Sequence, residues 1–141
     1  LGGHGAYGRS HLKGSKLGNA FPIEFDDNPC AISGPSAVKV TAAKDLPPFA
    51  SVATSLSKNA TCWWIHPVTL KQGAVPILFA GGKPVMTAWE YGPNKARIVC
   101  IAAAPMGDPG KDEMPFWKDP CWYLMLRDAI WWVKKQDRRF E

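Results

Sequence analysis

The side chains best suited to chemistry gather at the start of the sequence. Leu1–His11 interleaves Gly2, Gly3, Gly5 and Gly8 with His4, Tyr7, Arg9, Ser10 and His11. Glycine tolerates positive φ and close backbone approach, so a loop of this kind can cradle a phosphate or an oxyanion. Its spacing matches neither GxxxxGK(S/T) nor GxGxxG, so no nucleotide-binding motif is implied, and loop flexibility is the simpler account of the glycines. Gly3, His4, Tyr7 and Arg9 are the candidate ligand contacts here. His66 is a further candidate, and Pro67 after it holds it extended or in a turn. Histidine titrates near neutrality, so His4, His11 or His66, partnered by Asp26 or Asp27, has the chemistry of a general acid or base. Cys30, Cys62, Cys100 and Cys121 are widely separated, with no CxxC pair and no histidine at ligand spacing. That arrangement gives no zinc site, and it permits disulfides without requiring them. No metal or cofactor is implied.

The elements that must position these groups are clearest late in the chain. From Val75 to Pro105, three apolar runs, Val75–Ala80, Pro84–Tyr91 and Ala96–Ala104, are separated by Gly81-Gly82-Lys83 and Gly92-Pro93-Asn94-Lys95. Apolar runs punctuated by turn formers predict strands joined by hairpins. The last run is almost wholly apolar around Cys100 and predicts a strand buried on both faces, with Cys100 as a small core residue. A helix is expected from about Pro120 to about Arg138, with Asp119 as N-cap and Pro120 in its first turn. Trp122, Met125, Leu126, Ala129, Ile130, Trp132 and Val133 recur at spacings of three and four and predict one buried face, with Asp128 and Lys134-Lys135 outside it. Trp63, Trp64 and Trp117 are less periodic and are the aromatics to examine for a binding surface. Earlier, Leu17–Phe25 reads as a short helical turn that stops at Pro22, followed by an extended segment. Val38–Thr41 reads as a short edge strand, and the Ser/Ala-rich stretch before Thr61 as a loop with a weak helix.

A chain of 141 residues, 46% hydrophobic and with seven tryptophans, supports one domain core. Its formal charge of +5 is concentrated in Arg9–Lys16 and Lys134–Arg139. The second of these runs ends a helix, where cations favour the macrodipole and a solvated surface. Without a helix-turn-helix pattern or aromatics interleaved with basic residues, nucleic acid is not an expected partner. No apolar run approaches the ~18 residues of a membrane span, and no signal peptide is visible. The opening LGGHGAYG reads as the end of a strand entering a glycine-rich turn. The expectation is therefore a sheet incomplete at its N-terminus, in a fragment of a longer chain.

LGGHGAYG, GSKLGNAFPIEF, HPVT, GGKPVMTAWEYGPNKARIVCIAAAP and PFWKDPCWYLMLRDAIWWV, in this order, resemble the later portion of a bacterial glutamine amidotransferase-like domain. That family is part of the class I glutamine amidotransferase-like superfamily, which includes trehalose-utilisation-type proteins. The resemblance implies an α/β fold with a flavodoxin-like sheet, a C-terminal hairpin or meander and a covering amphipathic helix. It also implies a cysteine nucleophile on a GxCxG strand-to-helix turn, with His and Glu further on. Here the corresponding turn reads Gly2-Gly3-His4-Gly5-Ala6, without cysteine, and His66-Pro67 precedes Val68 rather than glutamate.

Three functions follow as expectations. The first is a catalytically degenerate domain that binds a small molecule or a protein, without glutaminase activity. The second is a hydrolase of the same superfamily acting on a carbohydrate derivative or an amide. The third is a part of an assembly, its sheet completed by the remainder of its own chain or by a partner subunit.

Overall fold

The structure, a computed structural model, describes residues 12–25, 32–42, 49 and 55–135, the segment 32–42 by its backbone alone. It is an α/β fold with mixed sheets and a C-terminal helix. Strands β1 (Ile23–Glu24), β2 (Ile32–Ala42), β3 (Ala60–Ile65), β4 (Thr69–Leu70), β5 (Val75–Ala80), β6 (Lys83–Tyr91), β7 (Ala96–Ile101), β8 (Ala103–Ala104) and β9 (Met114–Pro115) follow one another in the chain. Helix α1 (Lys16–Asn19) precedes them and α2 (Pro120–Val133) follows.

The late block folds as its punctuation dictates. Ala80 pairs with Lys83 across Gly81 and Gly82, whose φ values are +56° and +76°. Positive φ at both central residues marks the primed turn that matches strand twist, and glycine adopts it without strain. Gly92 and Lys95 both have positive φ at the next turn, where the Lys95 N–H donates to the Gly92 carbonyl at 3.0 Å. Strands β5, β6 and β7 thus form an antiparallel meander. Pro76 lies inside β5, and the register shifts just after it, as expected where a residue offers no N–H to the ladder.

The larger sheet runs β7-β6-β5-β2-β3-β8, with β9 beside β3 in its parallel pairing. β7 and β8 are separated only by Ala102. The Ala102 N–H donates to the Val85 carbonyl, and its own carbonyl accepts from the His66 N–H, both at 2.8 Å. The apolar run is therefore one bent strand that leaves β6 and joins β3, closing the sheet on itself. β2 makes the other corner: its start pairs with β3 and its end with β5. Strands that switch sheets in this way enclose a core between crossed layers.

That closure corrects two expectations. The run is not uniformly buried, because Ile98 and Val99 on β7 are half-buried while Cys100–Ala104 are buried. Val38–Thr41 is not a short edge strand but the end of an eleven-residue strand lying between β3 and β5. The helical turn before Pro22 forms as expected, whereas the segment expected as a weak helix before Thr61 falls mostly outside the described residues.

Helix α2 covers the core. Asp119 is its N-cap, with Oδ1 accepting from the Cys121 N–H at 2.9 Å, and Pro120 follows at the first position. Trp122, Met125 and Ala129 pack among Phe116, Cys62, Ile65, Leu78, Met86 and Ile101. The helix ends at Val133 rather than near Arg138, with Lys135 at φ +55° just beyond it. The burial of the helix also differs from the expected stripe: Asp128 is buried, and Ile130 and Val133 are exposed. A smaller cluster forms on the other face of the meander, where Ile23 and Phe25 pack against Cys100.

Candidate functional site

Of the residues singled out for chemistry, Gly3, His4, Tyr7, Arg9, His11, Asp26, Asp27 and Cys30 lie outside the described residues. His66 is described, and it is 2% exposed at the point where the sheet closes. Its backbone holds Ala102 of the bent strand, so its immediate task is architectural. Trp63 and Trp117, half-buried, meet edge to face at 5.8 Å, and Trp117 meets Phe116 likewise at 5.2 Å. Gly107, at φ +141°, lies against Trp63 so closely that an added Cβ would fall 2.6 Å from the indole. These aromatics line the core margin beneath the 105–112 loop rather than an open surface.

The described cysteines, Cys62, Cys100 and Cys121, are buried and belong to no disulfide. Burial pushes the Cys62 thiol up to about 11, and its Sγ donates to the Trp64 carbonyl at 3.4 Å. Cys121 is also raised, first by burial and then by the neighbouring Asp119 carboxylate, while its Sγ donates to the Ser55 carbonyl at 2.7 Å. A thiol in such surroundings stays protonated and is a poor nucleophile. Among the described residues no group of three His, Cys, Asp or Glu side chains could hold a metal ion. Nor is any helix there long and apolar enough to cross a membrane.

An open groove of about 380 Å³ lies between β7 and the C-terminal half of α2. Ile98, Val99 and Ile101 line its strand side, and Leu126, Ala129, Ile130 and Val133 its helix side, with Arg97 and Lys134 at one end. On the helix, Tyr123, Leu126, Ile130 and Val133 fall at spacings of three and four and form a second apolar stripe beside the buried one. Tyr123 and Ile130 are 66% and 59% exposed. A surface helix ordinarily presents one apolar face, and this one presents nearly two.

The charged end is ordered. Arg97 Nε donates to Glu90 at 2.9 Å and its Nη1 to the Trp132 carbonyl at 3.0 Å, with the guanidinium 5.1 Å from the Trp132 ring centroid. Lys135 Nζ donates to the Asn94 carbonyl at 3.1 Å. The Glu90 carboxyl is held below its ordinary range chiefly by its hydrogen bond from Arg97, with help from the charges of Arg97, Lys95 and Lys135. Lys95, Arg97 and Lys135 thus stand around one carboxylate, and Lys134 lines the groove. Among the described residues that line the groove none carries a hydroxyl, thiol, imidazole or carboxylate, and its apolar walls and cationic end are suited to binding. Sequence periodicity alone assigns Ile130 and Val133 to the core; the signal for a groove is the excess width of the apolar stripe.

No family model matches the sequence, and no curated protein matches it. Two solved structures resemble the fold. One is "Cytoplasmic Protein STM3548 from Salmonella typhimurium", at 15% identity and a TM-score of 0.67, covering 86% of this chain and 46% of that one. The other is "Cytoplasmic Protein STM1381 from Salmonella typhimurium LT2", at 13% identity and a TM-score of 0.56, covering 85% of this chain and 44% of that one. At these identities the likeness is one of fold. The chain spans less than half the length of each.

Proposed function

We propose that this chain is a catalytically degenerate glutamine amidotransferase-like domain that works by binding, within a larger protein or assembly. The open apolar groove between β7 and α2 carries the proposal, because a helix with two apolar stripes leaves one for something else to cover. The loss of catalysis is supported by the cysteine-free turn Gly2-Gly3-His4-Gly5-Ala6 and by the protonated state that burial gives Cys62 and Cys121. In this reading the closed antiparallel part is the later portion of the fold. The flavodoxin-like parallel strands belong to the remainder of the chain or to a partner subunit that completes the sheet. Gly3, His4, Tyr7 and Arg9 remain the proposed contacts for a small molecule at the glycine-rich loop. The hydrolase alternative gains nothing from His66, which is buried at the sheet closure.

Two measurements test the proposal. Incubation with glutamine should release no ammonia; release that disappears in a Cys30→Ser variant would restore the enzyme. An apolar fluorescent dye should bind the native chain and lose most of its signal in Ile130→Asp. A native chain that leaves the dye dark has no accessible groove and removes the observation on which binding rests.

A further inference from the structure

We infer that the groove between β7 and α2 takes a polypeptide segment that is apolar along its length and acidic at one end. The inference rests on the binding reading above and specifies its partner. Three features select this occupant.

The first is extent. The apolar surface does not stop at the walls of the groove but continues along the helix through Ile130 to Tyr123. A single acyl chain filling about 380 Å³ would leave those side chains in water. A segment of protein, with side chains on two sides of its backbone, covers both the groove and its shoulder.

The second is charge. Arg97 and Lys134 line one end of the groove, and Lys95 and Lys135 stand close by, around the Glu90 carboxylate that Arg97 engages. Among the described residues Lys134 makes no close ion pair, and Lys95 acts on Glu90 only at longer range than Arg97 does. A carboxylate arriving beside them would meet several cations at an interface from which water is partly excluded, where such pairs fix orientation and raise the association rate.

The third is polarity along the site. On the helix itself, the half around Leu126 and Tyr123 carries no cation except Arg127. Arg127 is already engaged by Asp128 at 3.0 Å and stacked 4.9 Å from the Trp131 ring centroid. The acidic end of the segment is therefore directed to the C-terminal end of α2, and its apolar part runs back toward the middle of the helix.

The test is selection of short random peptides displayed on phage against the immobilised chain, followed by titration of the enriched peptides. The expected result is enrichment of apolar sequences with Asp or Glu grouped at one end. Their affinity should fall on the order of tenfold in Ile130→Asp, as for loss of a buried anchor, and severalfold in a Lys95→Glu, Lys134→Glu double variant. Far-UV circular dichroism should match the native chain in both. Enriched peptides without an acidic end, affinity unchanged in Ile130→Asp, or an absence of enrichment would each overturn the inference. So would a concentration-dependent dimer abolished by Ile130→Asp, since the occupant would then be a second copy. If the dye binds native protein but acidic peptides are not selected, the inference alone fails; if the dye does not bind, the binding reading fails with it.

Discussion

The two ends of helix α2 are built on opposite principles. At the N-terminal end, polar groups lock the helix to distant chain: Asp119 accepts from its own first turn through Cys121 and from Ser57 across the loop, at 2.9 and 3.0 Å, while the Cys121 thiol donates to Ser55. Trp122 then enters the core edge-on to Phe116, with ring centroids 4.9 Å apart. At the C-terminal end Arg97 donates to the Trp132 carbonyl and Lys135 to Asn94, while Ile130 and Val133 look outward beside these cations at the rim. One end secures the fold, and the other presents a surface. Hydrophobic burial is non-directional, so apolar residues do not by themselves reveal which of these tasks they serve.

The largest effect that would sharpen this contrast is expected from Trp122→Ala. Truncating a large buried aromatic typically costs about 3–5 kcal/mol, from lost transfer energy and the cavity left behind. Urea unfolding should show a much lower midpoint. A loss below about 1 kcal/mol would mean that the N-terminal half of α2 is not the anchor described here.

Asp119→Ala comes next. It removes the N-cap and strands the Ser57 N–H, and a lost cap together with an unmatched donor is worth roughly 1–3 kcal/mol. The sign of the pH dependence follows from its surroundings. Burial tends to raise the Asp119 carboxyl, but the hydrogen bonds from Ser57 and Cys121 outweigh it and hold the carboxyl below its ordinary value. A carboxyl depressed in the folded state contributes stability that is present above its unfolded value of about 3.9 and is lost as pH falls through the folded value. The difference in stability between the native chain and Asp119→Ala should therefore be full at neutral pH and shrink in acid. A difference that is constant down to acid pH would show that the carboxylate's charge adds nothing to the clamp.

Within the meander, Gly82→Ala tests whether the hairpin depends on its turn as α2 depends on its cap. Gly82 has open space where a Cβ would go, so only its φ of +76° opposes the change. An expected cost of about 1–2 kcal/mol follows for a non-glycine residue in the left-handed region. No loss by thermal melting would mean that the turn adopts another form.

Much of this architecture was legible. The boundaries of β5, β6 and β7 fall where Gly81-Gly82 and Gly92–Lys95 punctuate the chain, and Asp119-Pro120 marks the start of α2, because turn and cap chemistry is local. β2 was legible only in its last residues. Gly34-Pro35 argues against a strand, yet the pairing with β3 absorbs both in a register shift between Ser33 and Val38. Closure through Ala102 left no mark on the sequence, since an alanine in an apolar run looks the same whether its strand is straight or bent between two partners. His66 was singled out for its titration, and the structure uses its backbone. The groove was hidden for a related reason: periodicity finds the apolar positions of a helix, but which of them the rest of the chain reaches is decided by distant β7.

The smallest expected effect is the most informative about the open end. Ile130 is 59% exposed, so Ile130→Lys removes little buried area. Lysine is at least as good a helix former as isoleucine, and a cation in the last turn favours the macrodipole. Those terms offset the modest loss of packing, and stability should stay within about 0.5 kcal/mol of the native value. The apolar dye should nonetheless lose signal, because the shoulder of the groove has become charged. Unfolding and dye binding would then separate, stability unmoved and surface altered, as a residue serving recognition requires. If Ile130→Lys instead destabilises the chain by several kcal/mol, some part of the chain already covers this residue. The two ends of α2 would then be alike, and the groove would be the margin of the core.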